Sequence, residues 1–255
     1  QEGTCLVPCA RLVAILREIK DPELTFEVDA AGQACLSAGS SHFKLPTGPI
    51  DEFPSVEFSP PGPSIRVSRE DLLNTLRRVS VAAAKDATRF NMHSVLFDGQ
   101  EDELRIVSTD GKRMAVSALS VVAGGDDGLP SGQFILPLKG VDLLSKILAN
   151  EADEEVVLHL DQNEVAYVSD RESLTCRLVE GKFPDYERAV PQKFKCVFVI
   201  NTENLLMALR QAALMTTKET NSVRFVFGSD SATLSSSASN VGESRIEFPV
   251  QKTAG

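Results

Sequence analysis

The stretch VSREDLLNTLRRVSVAAAK, residues 67–85, returns in altered form as INTENLLMALRQAALMTTK at residues 200–218. The two segments align without a gap at an offset of 133 residues. The matched positions are Glu70, Leu72, Leu73, Leu76, Arg77 and Lys85 in the first segment and Glu203, Leu205, Leu206, Leu209, Arg210 and Lys218 in the second. Leucines spaced three and four residues apart predict an amphipathic helix in each segment.

Two further pairs of segments repeat at similar offsets. LVPCARLVAILREI (6–19) matches ILPLKGVDLLSKIL (135–148), because both run from two aliphatic residues through proline into an apolar helical pattern. LPTGPIDEFPSVEF (45–58) shares a leucine, a glycine and a Phe-Pro pair with LVEGKFPDYERAVP (178–191). Three such matches indicate that the chain contains a duplication.

The repeating unit is a helix followed by strands. Helical patterns begin near residues 8, 68, 137 and 201, and alternating segments with turn-forming residues follow each of them. The predicted class is α+β, built from repeated half-domain units of one helix plus antiparallel strands, with the helices lining one face. Residues 1–60 then form half a domain, 61–192 a complete domain and 193–255 another half. EFSPPGPSIR (57–66) is predicted to be a hinge, and half a sheet leaves an open edge.

Composition excludes several classes of protein. A hydrophobic content of 42% with 24% charged residues is typical of a globular chain. No apolar run is long enough for a membrane span, and five cysteines without a CxxC pair favour reduced thiols in a cytoplasmic protein.

The charge is unevenly distributed. The net charge is −10, yet each predicted helix carries basic residues away from its apolar stripe, for example Arg77 and Arg78 opposite Leu72. One such helix would be an ordinary solvated face. Four equivalent basic helices in an acidic protein favour a polyanion as partner, with contacts to phosphates rather than bases.

Four ordered motifs carry a resemblance to a known family. They are FKLPTGPIDEFP (43–54), STDGKRMAV (108–116), ILPLKGVDLL (135–144) and LVEGKFPDYERAVP (178–191). The chain resembles the bacterial sliding clamp, the ring-forming processivity subunit (beta subunit) of the replicative DNA polymerase. A chain of that family has three domains of two half-units each, so this sequence is expected to be truncated at both ends.

The resemblance implies a homodimer, closed head to tail, that encircles duplex DNA without sequence specificity and tethers the polymerase to it. It implies no catalysis, cofactor or metal. The DNA-contacting residues carried over are Arg11, Arg17, Arg77, Arg78, Lys85, Phe90, Asn91, Lys139, Lys146, Arg210 and Lys218.

The resemblance also implies a cleft for short peptides of the replicative polymerase, the clamp loader and repair polymerases, between the second and third domains. The cleft residues carried over are Arg89, Met92, Thr109, Gly111, Lys112, Arg113, Met114, Pro184, Arg188 and Ala189. The family's C-terminal tail completes this cleft and has no counterpart here, so weaker binding is expected. The dimer interface carried over is Ile15, Phe43, Leu45, Leu214 and Met215.

Three other interpretations remain open at this stage. The chain could be a peptide-binding scaffold of clamp fold that does not close on DNA. It could be an enzyme that uses Asp110 and Asp185 as an acid–base pair, although both stand beside turn residues. The segment 178–191 could be only a rigid linker. His42, His93 and His159 fall in separate units without metal-ligand spacing.

Overall fold

The computed structural model describes residues 3–54, 62–86, 91–100, 103–124, 131–191, 193–217 and 222–254. The chain divides into two compact units, Gln1–Lys182 and Phe183–Gly255. The helices of the described part are α1 (Cys9–Glu18), α2 (Arg69–Ser80) and α3 (Leu138–Asn150) in the first unit and α4 (Thr202–Ala213) in the second.

The strands pair antiparallel throughout the described residues. Those of the first unit are β1 (Thr25–Val28), β2 (Gln33–Ala38), β3 (Ser41–Pro46), β4 (Ser64–Ser68), β5 (Ser94–Gly99), β6 (Glu103–Thr109), β7 (Met114–Ser120), β8 (Ala123–Gly124), β9 (Gly132–Pro137), β10 (Glu155–Leu160), β11 (Glu164–Val168) and β12 (Ser173–Arg177). Those of the second are β13 (Val197–Val199), β14 (Arg224–Phe227), β15 (Ser231–Ala238), β16 (Gly242–Pro249) and β17 (Gln251–Ala254). Helices packed on antiparallel sheets confirm the predicted α+β class.

In the middle part of the chain, residues 64–177, two half-units each contribute a strand to the sheet of the other. The first half is β4, α2 and β5–β8, and the second is β9, α3 and β10–β12. One sheet has the order β7-β6-β5-β9 and the other β12-β11-β10-β4-β8. Each sheet therefore contains strands of both halves, joined where β9 pairs with β5 and where β4 pairs with β10.

The core of this middle part lies between the two helices and the two sheets. Leu72, Leu76 and Val79 of α2 are buried, as are Leu144 and Leu148 of α3. The two helices pack against each other, and both contact the sheets. The spacing of these residues is that of the apolar stripes predicted from sequence, so the burial confirms the helical pattern.

The duplication extends to hydrogen bonds at the helix ends. Ser68 caps α2 by accepting from the Asp71 N–H, and Asn201 caps α4 by accepting from the N–H groups of Glu203 and Asn204. At the other end, the buried Ser236 hydroxyl donates to the Ala212 carbonyl at 2.7 Å.

A buried serine holds the end of α2 in the same way. The Ser108 hydroxyl donates to the Val79 carbonyl at 2.5 Å. Each of these carbonyls also accepts a main-chain N–H, Val79 from Ala82 and Ala212 from Met215, so the serine adds a second bond at the helix end. Pro8 and Pro137 stand at the N-cap positions of α1 and α3, so the first and third helices share a different start from that of the second and fourth.

The two terminal halves have small cores of their own. In the first, Ala34, Leu36 and Leu45 are buried beneath Leu12 and Ile15 of α1. In the second, the core of α4 and the sheet β14-β15-β16 consists of Ala208, Ala212, Ala232, Leu234, Phe248 and Val250. β5 is buried along its whole length, whereas β1 and β14 are exposed along theirs.

Several local predictions were wrong. Ser64–Arg66 of the predicted hinge lie in β4, and its residues 57–61 lie outside the described part of the chain. α2 ends at Ser80, before the end of the aligned segment 67–85. Leu206 was placed in the apolar stripe of the last helix, but it is exposed on the same side as Arg210. In the paired strands Leu45 occupies the place of Cys176 rather than of Leu178, because Leu45 pairs with Ala34 as Cys176 pairs with Val165, at an offset of 131 rather than 133 residues.

Two findings for the described residues concern membrane spans and cysteines. No helix among them is long and apolar enough to cross a membrane. All five cysteines are free thiols.

We expect Leu76→Ala to lower the free energy of unfolding by about 3 kcal/mol, because it opens a cavity at a fully buried position between α2 and the sheets. Equilibrium urea unfolding followed by circular dichroism measures the loss. Val81→Ala, at an exposed position just after the same helix, is the control and should change stability by less than about 0.5 kcal/mol. Equal losses for the two variants would contradict the assigned core.

Candidate functional site

The basic residues predicted on the helices are all exposed where the structure describes them. They are Arg11 and Arg17 on α1, Arg77 and Arg78 on α2, Lys85 beyond α2, Lys139 and Lys146 on α3, and Arg210 on α4. Lys218, which completes the predicted set on the fourth helix, lies outside the described residues. Each helix thus carries its described cations at solvent-exposed positions.

These exposed cations are available to an outside anion. None of the eight makes an ion pair within the described part of the chain. Two cations on the sheets are paired instead, Arg66 with Glu155 at 3.5 Å and Lys44 with Asp29 at 3.6 Å. Arg77 and Arg78 also stand in the last turn of α2, where the helix dipole favours positive charge.

The segment after α2 is tied to another part of the first unit. Asn91 adopts a φ of +56°, and its side-chain N–H donates to the Glu180 carbonyl at 2.9 Å. Gly181 follows with a φ of +110°, and a Cβ there would lie 2.7 Å from the Asn91 amide nitrogen. Asn91 is therefore held in place rather than free. Arg89 and Phe90 lie outside the described residues.

The turn between β6 and β7 is stabilised by its own side chains. The Thr109 hydroxyl accepts from the Gly111 N–H at 3.0 Å and donates to the Arg113 carbonyl at 2.8 Å. One oxygen of Asp110 accepts from the N–H groups of Lys112 and Arg113, each at 2.9 Å. The other oxygen pairs with the Arg113 guanidinium at 3.0 Å. Gly111 supplies the positive φ of +82° that the turn requires.

The structure brings together the predicted cleft residues of the first unit. A Cβ added at Gly111 would lie 3.7 Å from the sulfur of Met92, so Met92 covers the turn. Met92 and Met114 are half-buried, Thr109 is buried, and Lys112 and Arg113 are exposed. Two flexible thioether side chains beside an exposed basic turn form an adaptable, partly apolar surface.

The remaining cleft residues belong to the second unit. Pro184 is half-buried and precedes the 3-10 turn Glu187–Ala189, where Arg188 and Ala189 are exposed. Arg188 pairs with Asp185 at 2.8 Å. Phe183 and Tyr186 are buried, so the aromatic residues of this segment serve packing while its charged residues face solvent.

The predicted dimer residues differ in exposure. Leu45 is buried in the small core of the first half, and Ile15 and Phe43 are half-buried against it. Leu214 is exposed just after α4, and Met215 is half-buried. Only Leu214 of this set is largely available to a partner.

The enzyme interpretation finds no support in the carboxylates. Both oxygens of Asp110 are engaged within its own turn, and Asp185 is paired with Arg188. Within the described ranges, no group of three or more His, Cys, Asp and Glu side chains could hold a metal ion. Each of these aspartates has a structural partner, as the neighbouring turn residues indicated.

Sequence reasoning missed two features of this site. The anchoring of Asn91 on Glu180 depends on a main-chain carbonyl, which no side-chain pattern reveals. The exposure of Leu206 and Met207 beside Arg210 on α4 was also missed, because the leucine spacing alone places Leu206 in the core. A comparison of residue 206 with its counterpart Leu73 could not reveal the difference, since both are leucine.

Acid should open the turn at Asp110 only at unusually low pH. Backbone N–H donors, first that of Arg113 and then that of Lys112, hold the pKa of Asp110 below its ordinary value of 3.8. Because the folded-state pKa is depressed, the stabilisation is present above pH 3.8 and is lost as the pH falls through the lower value. Amide NMR shifts of Lys112 and Arg113 should report this titration, and Asp110→Asn should abolish it. A midpoint at or above pH 3.8 would contradict the geometry.

Several known proteins are similar to this chain in sequence or in fold. Residues 66–185 match the family model described as the central domain of the DNA polymerase III beta subunit. The beta sliding clamp of Chlamydia pneumoniae is 28% identical over 98% of this chain and 67% of its own length. The crystal structure of the DNA polymerase III beta subunit of Thermotoga maritima superposes with a TM-score of 0.87 at 25% identity, over 100% of this chain and 68% of that one.

A structure of the Pseudomonas aeruginosa sliding clamp bound to griselimycin has a TM-score of 0.85 at 27% identity, over 100% of this chain and 68% of that one. The chain spans about two thirds of the length of these relatives. The predicted clamp fold is confirmed by this structural match, which extends across both units. In sequence and in fold, the chain is similar to the bacterial beta sliding clamps of DNA polymerase III.

Proposed function

We propose that the chain acts as a DNA sliding clamp that encircles duplex DNA as part of a head-to-tail ring and tethers the replicative polymerase. The observation that carries this proposal is the set of exposed cations on all four helices, none of them in an ion pair within the described residues. These cations contrast with a net charge of −10 for the whole chain.

Phosphate contact without base reading suits this arrangement. Lysine and arginine side chains that neutralise phosphates release counterions and bind any sequence. A ring is retained on DNA by topology, so modest contacts are sufficient and permit sliding. The acidic remainder of the surface repels DNA elsewhere. In this proposal the loop at Lys85–Asn91 adds contacts beside the helices.

Partner proteins would bind through short peptides at the surface of the first unit formed by Met92 and the turn at Thr109–Met114. Pro184, Arg188 and Ala189 of the second unit remain part of the proposed set of peptide contacts. The methionines supply adaptable apolar contacts, and the arginines suit acidic or polar groups of a peptide. The proposed partners are the replicative polymerase, the clamp loader and repair polymerases. Ring closure as a homodimer would use Ile15, Phe43 and Leu45 on one side and Leu214 and Met215 on the other.

Charge reversal should weaken DNA binding without unfolding the chain. For the variant Arg77→Glu/Arg210→Glu we expect the slope of log K against log salt concentration to fall by about two, one for each lost phosphate contact. Fluorescence anisotropy with a labelled duplex at several salt concentrations measures the slope. Retention on nicked circular DNA should fall in parallel.

Arg171→Glu is the matched control, because Arg171 is an exposed cation in the turn after β11 and lies on no helix. It should leave both measurements unchanged. If the helix variants bound DNA like the parent chain while still binding peptide ligands, the peptide-binding scaffold would replace the clamp.

Griselimycin provides a probe for the proposed peptide surface. We expect it to bind this chain, and we expect Met92→Ala/Met114→Ala to raise its Kd by roughly tenfold through loss of apolar contact area. Isothermal titration calorimetry measures the affinity. Val168→Ala, an exposed position on β11, should leave the Kd unchanged. Equal affinity for the methionine variant would place the binding surface elsewhere.

A further inference from the structure

Hydrogen bonds fix the main chain on either side of Met92. The Ala84 N–H donates to the Met92 carbonyl at 2.9 Å, and the Nδ1 of His93 donates to the Ala84 carbonyl at 2.7 Å. The buried Ser94 hydroxyl donates to the Asn91 carbonyl. These bonds join the two ends of the segment that runs from residue 84 to residue 92, and Met92 lies at the junction.

Asn91 ties this junction to a part of the first unit that is distant in sequence. Its side-chain N–H donates to the Glu180 carbonyl at 2.9 Å. Its φ of +56° is a left-handed conformation that asparagine adopts more readily than most residues. Gly181 fits closely against it, since a Cβ there would lie 2.7 Å from the Asn91 amide nitrogen. Asn91, Glu180 and Gly181 together form a clasp.

The main chain that carries the Glu180 carbonyl is itself bonded to the rest of the first unit. The Val179 N–H donates to the carbonyl of Ile135, a buried residue of β9, at 2.8 Å. The Leu178 N–H donates to the Asn163 carbonyl at 2.8 Å. The clasp therefore links Asn91, and with it the neighbouring Met92, to a fixed point of the fold.

Met92 is the residue that covers the turn between β6 and β7. A Cβ added at Gly111 would lie 3.7 Å from both the sulfur and the terminal methyl carbon of Met92. Methionine has three rotatable side-chain bonds, so its own rotamers do not fix where the thioether lies. The bonds to the main chain on both sides limit the positions that the side chain can reach.

We propose that Asn91 is a positioning residue of the peptide surface rather than a contact to DNA. The clasp holds Met92 over Gly111, in the conformation that receives an apolar side chain of a bound peptide. This inference rests on the proposed function, because it concerns the surface formed by Met92 and the turn at Thr109–Met114.

The engagement of Asn91 argues against a contact to DNA. An asparagine side chain binds phosphate through its amide N–H groups, because its other polar atom is an acceptor. Here the bond to Glu180 directs the amide nitrogen toward the main chain of the first unit. Rotation toward a phosphate would break the clasp. Lys85 of the same loop is exposed and makes no ion pair within the described residues, so it retains its proposed role at DNA.

Three substitutions open the clasp in different ways. Asn91→Gly removes the donor but keeps a residue that adopts positive φ readily, and Asn91→Asp replaces the donor with an acceptor of similar shape. Gly181→Ala places a Cβ against the Asn91 amide nitrogen. Gly132→Ala is the matched control, because Gly132 also has a positive φ (+146°) but a Cβ there would meet only Phe134, at 3.9 Å.

We expect each clasp variant to raise the Kd for griselimycin about fivefold, because the loss of one hydrogen bond lowers the population of the binding conformation. Isothermal titration calorimetry measures the Kd, and circular dichroism checks that each variant is folded. Gly132→Ala should leave the Kd unchanged. The double variant Asn91→Gly/Gly181→Ala should bind like either single variant, because both changes open the same clasp. Affinity for a labelled duplex should equal that of the parent chain in all of them.

Methyl NMR of methionine separates positioning from a general loss of structure. The chain has four methionines, and Met92→Ala identifies the signal of Met92. In the clasp variants this signal should shift toward that of an exposed methionine. The signals of Met207 and Met215, which belong to the second unit, should stay where they are.

The inference and the proposed function fail in different ways. A parent chain that binds no griselimycin would contradict the proposed peptide surface itself. If the parent chain binds it, an unchanged Kd or an unchanged Met92 signal in the clasp variants would overturn the inference alone. Weaker duplex binding by Asn91→Gly, with griselimycin binding retained, would return Asn91 to the DNA contacts.

Discussion

The exchange of strands between two half-units is the constraint on which the fold depends. Because β9 of the second half joins the sheet of the first, and β4 of the first joins the sheet of the second, each half contributes a strand to the sheet of the other. β5, which has a neighbour on both sides, is buried along its whole length, whereas β14, which pairs only with β15 among the described strands, is exposed along its length. Local propensity chooses the helix and strands, and the partner half completes the core.

The electrostatic character of the molecule follows from this packing. α2 turns Leu72 and Leu76 toward the core, so its polar side is left to solvent, and that side carries Arg77 and Arg78. The acidic residues fall mainly elsewhere, which gives a chain of net charge −10 a set of unpaired cations on its helices. A charge pattern of this kind separates a surface for phosphates from a surface that repels them. The proposed clamp function depends on that separation rather than on any single residue.

Much of the fold could be predicted from the sequence, because each helix and strand pattern occurs more than once in the duplicated chain. Leu72 and Leu76 predicted the buried stripe of α2, and the Thr-Asp-Gly turn at 109–111 was located by its residue types. Failures came where burial depends on a neighbour distant in sequence. Leu206 has the spacing of a core residue and is exposed because no second helix covers it within the described part of the chain. Asn91 depends on a main-chain carbonyl at Glu180, and Leu45 was misaligned because the offset of 133 found in the helices is 131 in these hairpins.

The serine bond at the end of each repeated helix has a mechanical consequence. The Ser108 hydroxyl bonds the Val79 carbonyl at the end of α2, and the Ser236 hydroxyl bonds the Ala212 carbonyl at the end of α4. These bonds oppose fraying of the last helical turns, which carry arginines. Charges on a rigid helix present a nearly constant electrostatic potential to duplex DNA that moves past them. Charges on flexible loops would rearrange around each phosphate and slow the movement. For a ligand that must slide freely, a small variation of the electrostatic potential along the path matters more than strong attraction at any one point. In the proposed clamp, these two buried hydroxyl groups would thereby reduce the friction of movement along DNA.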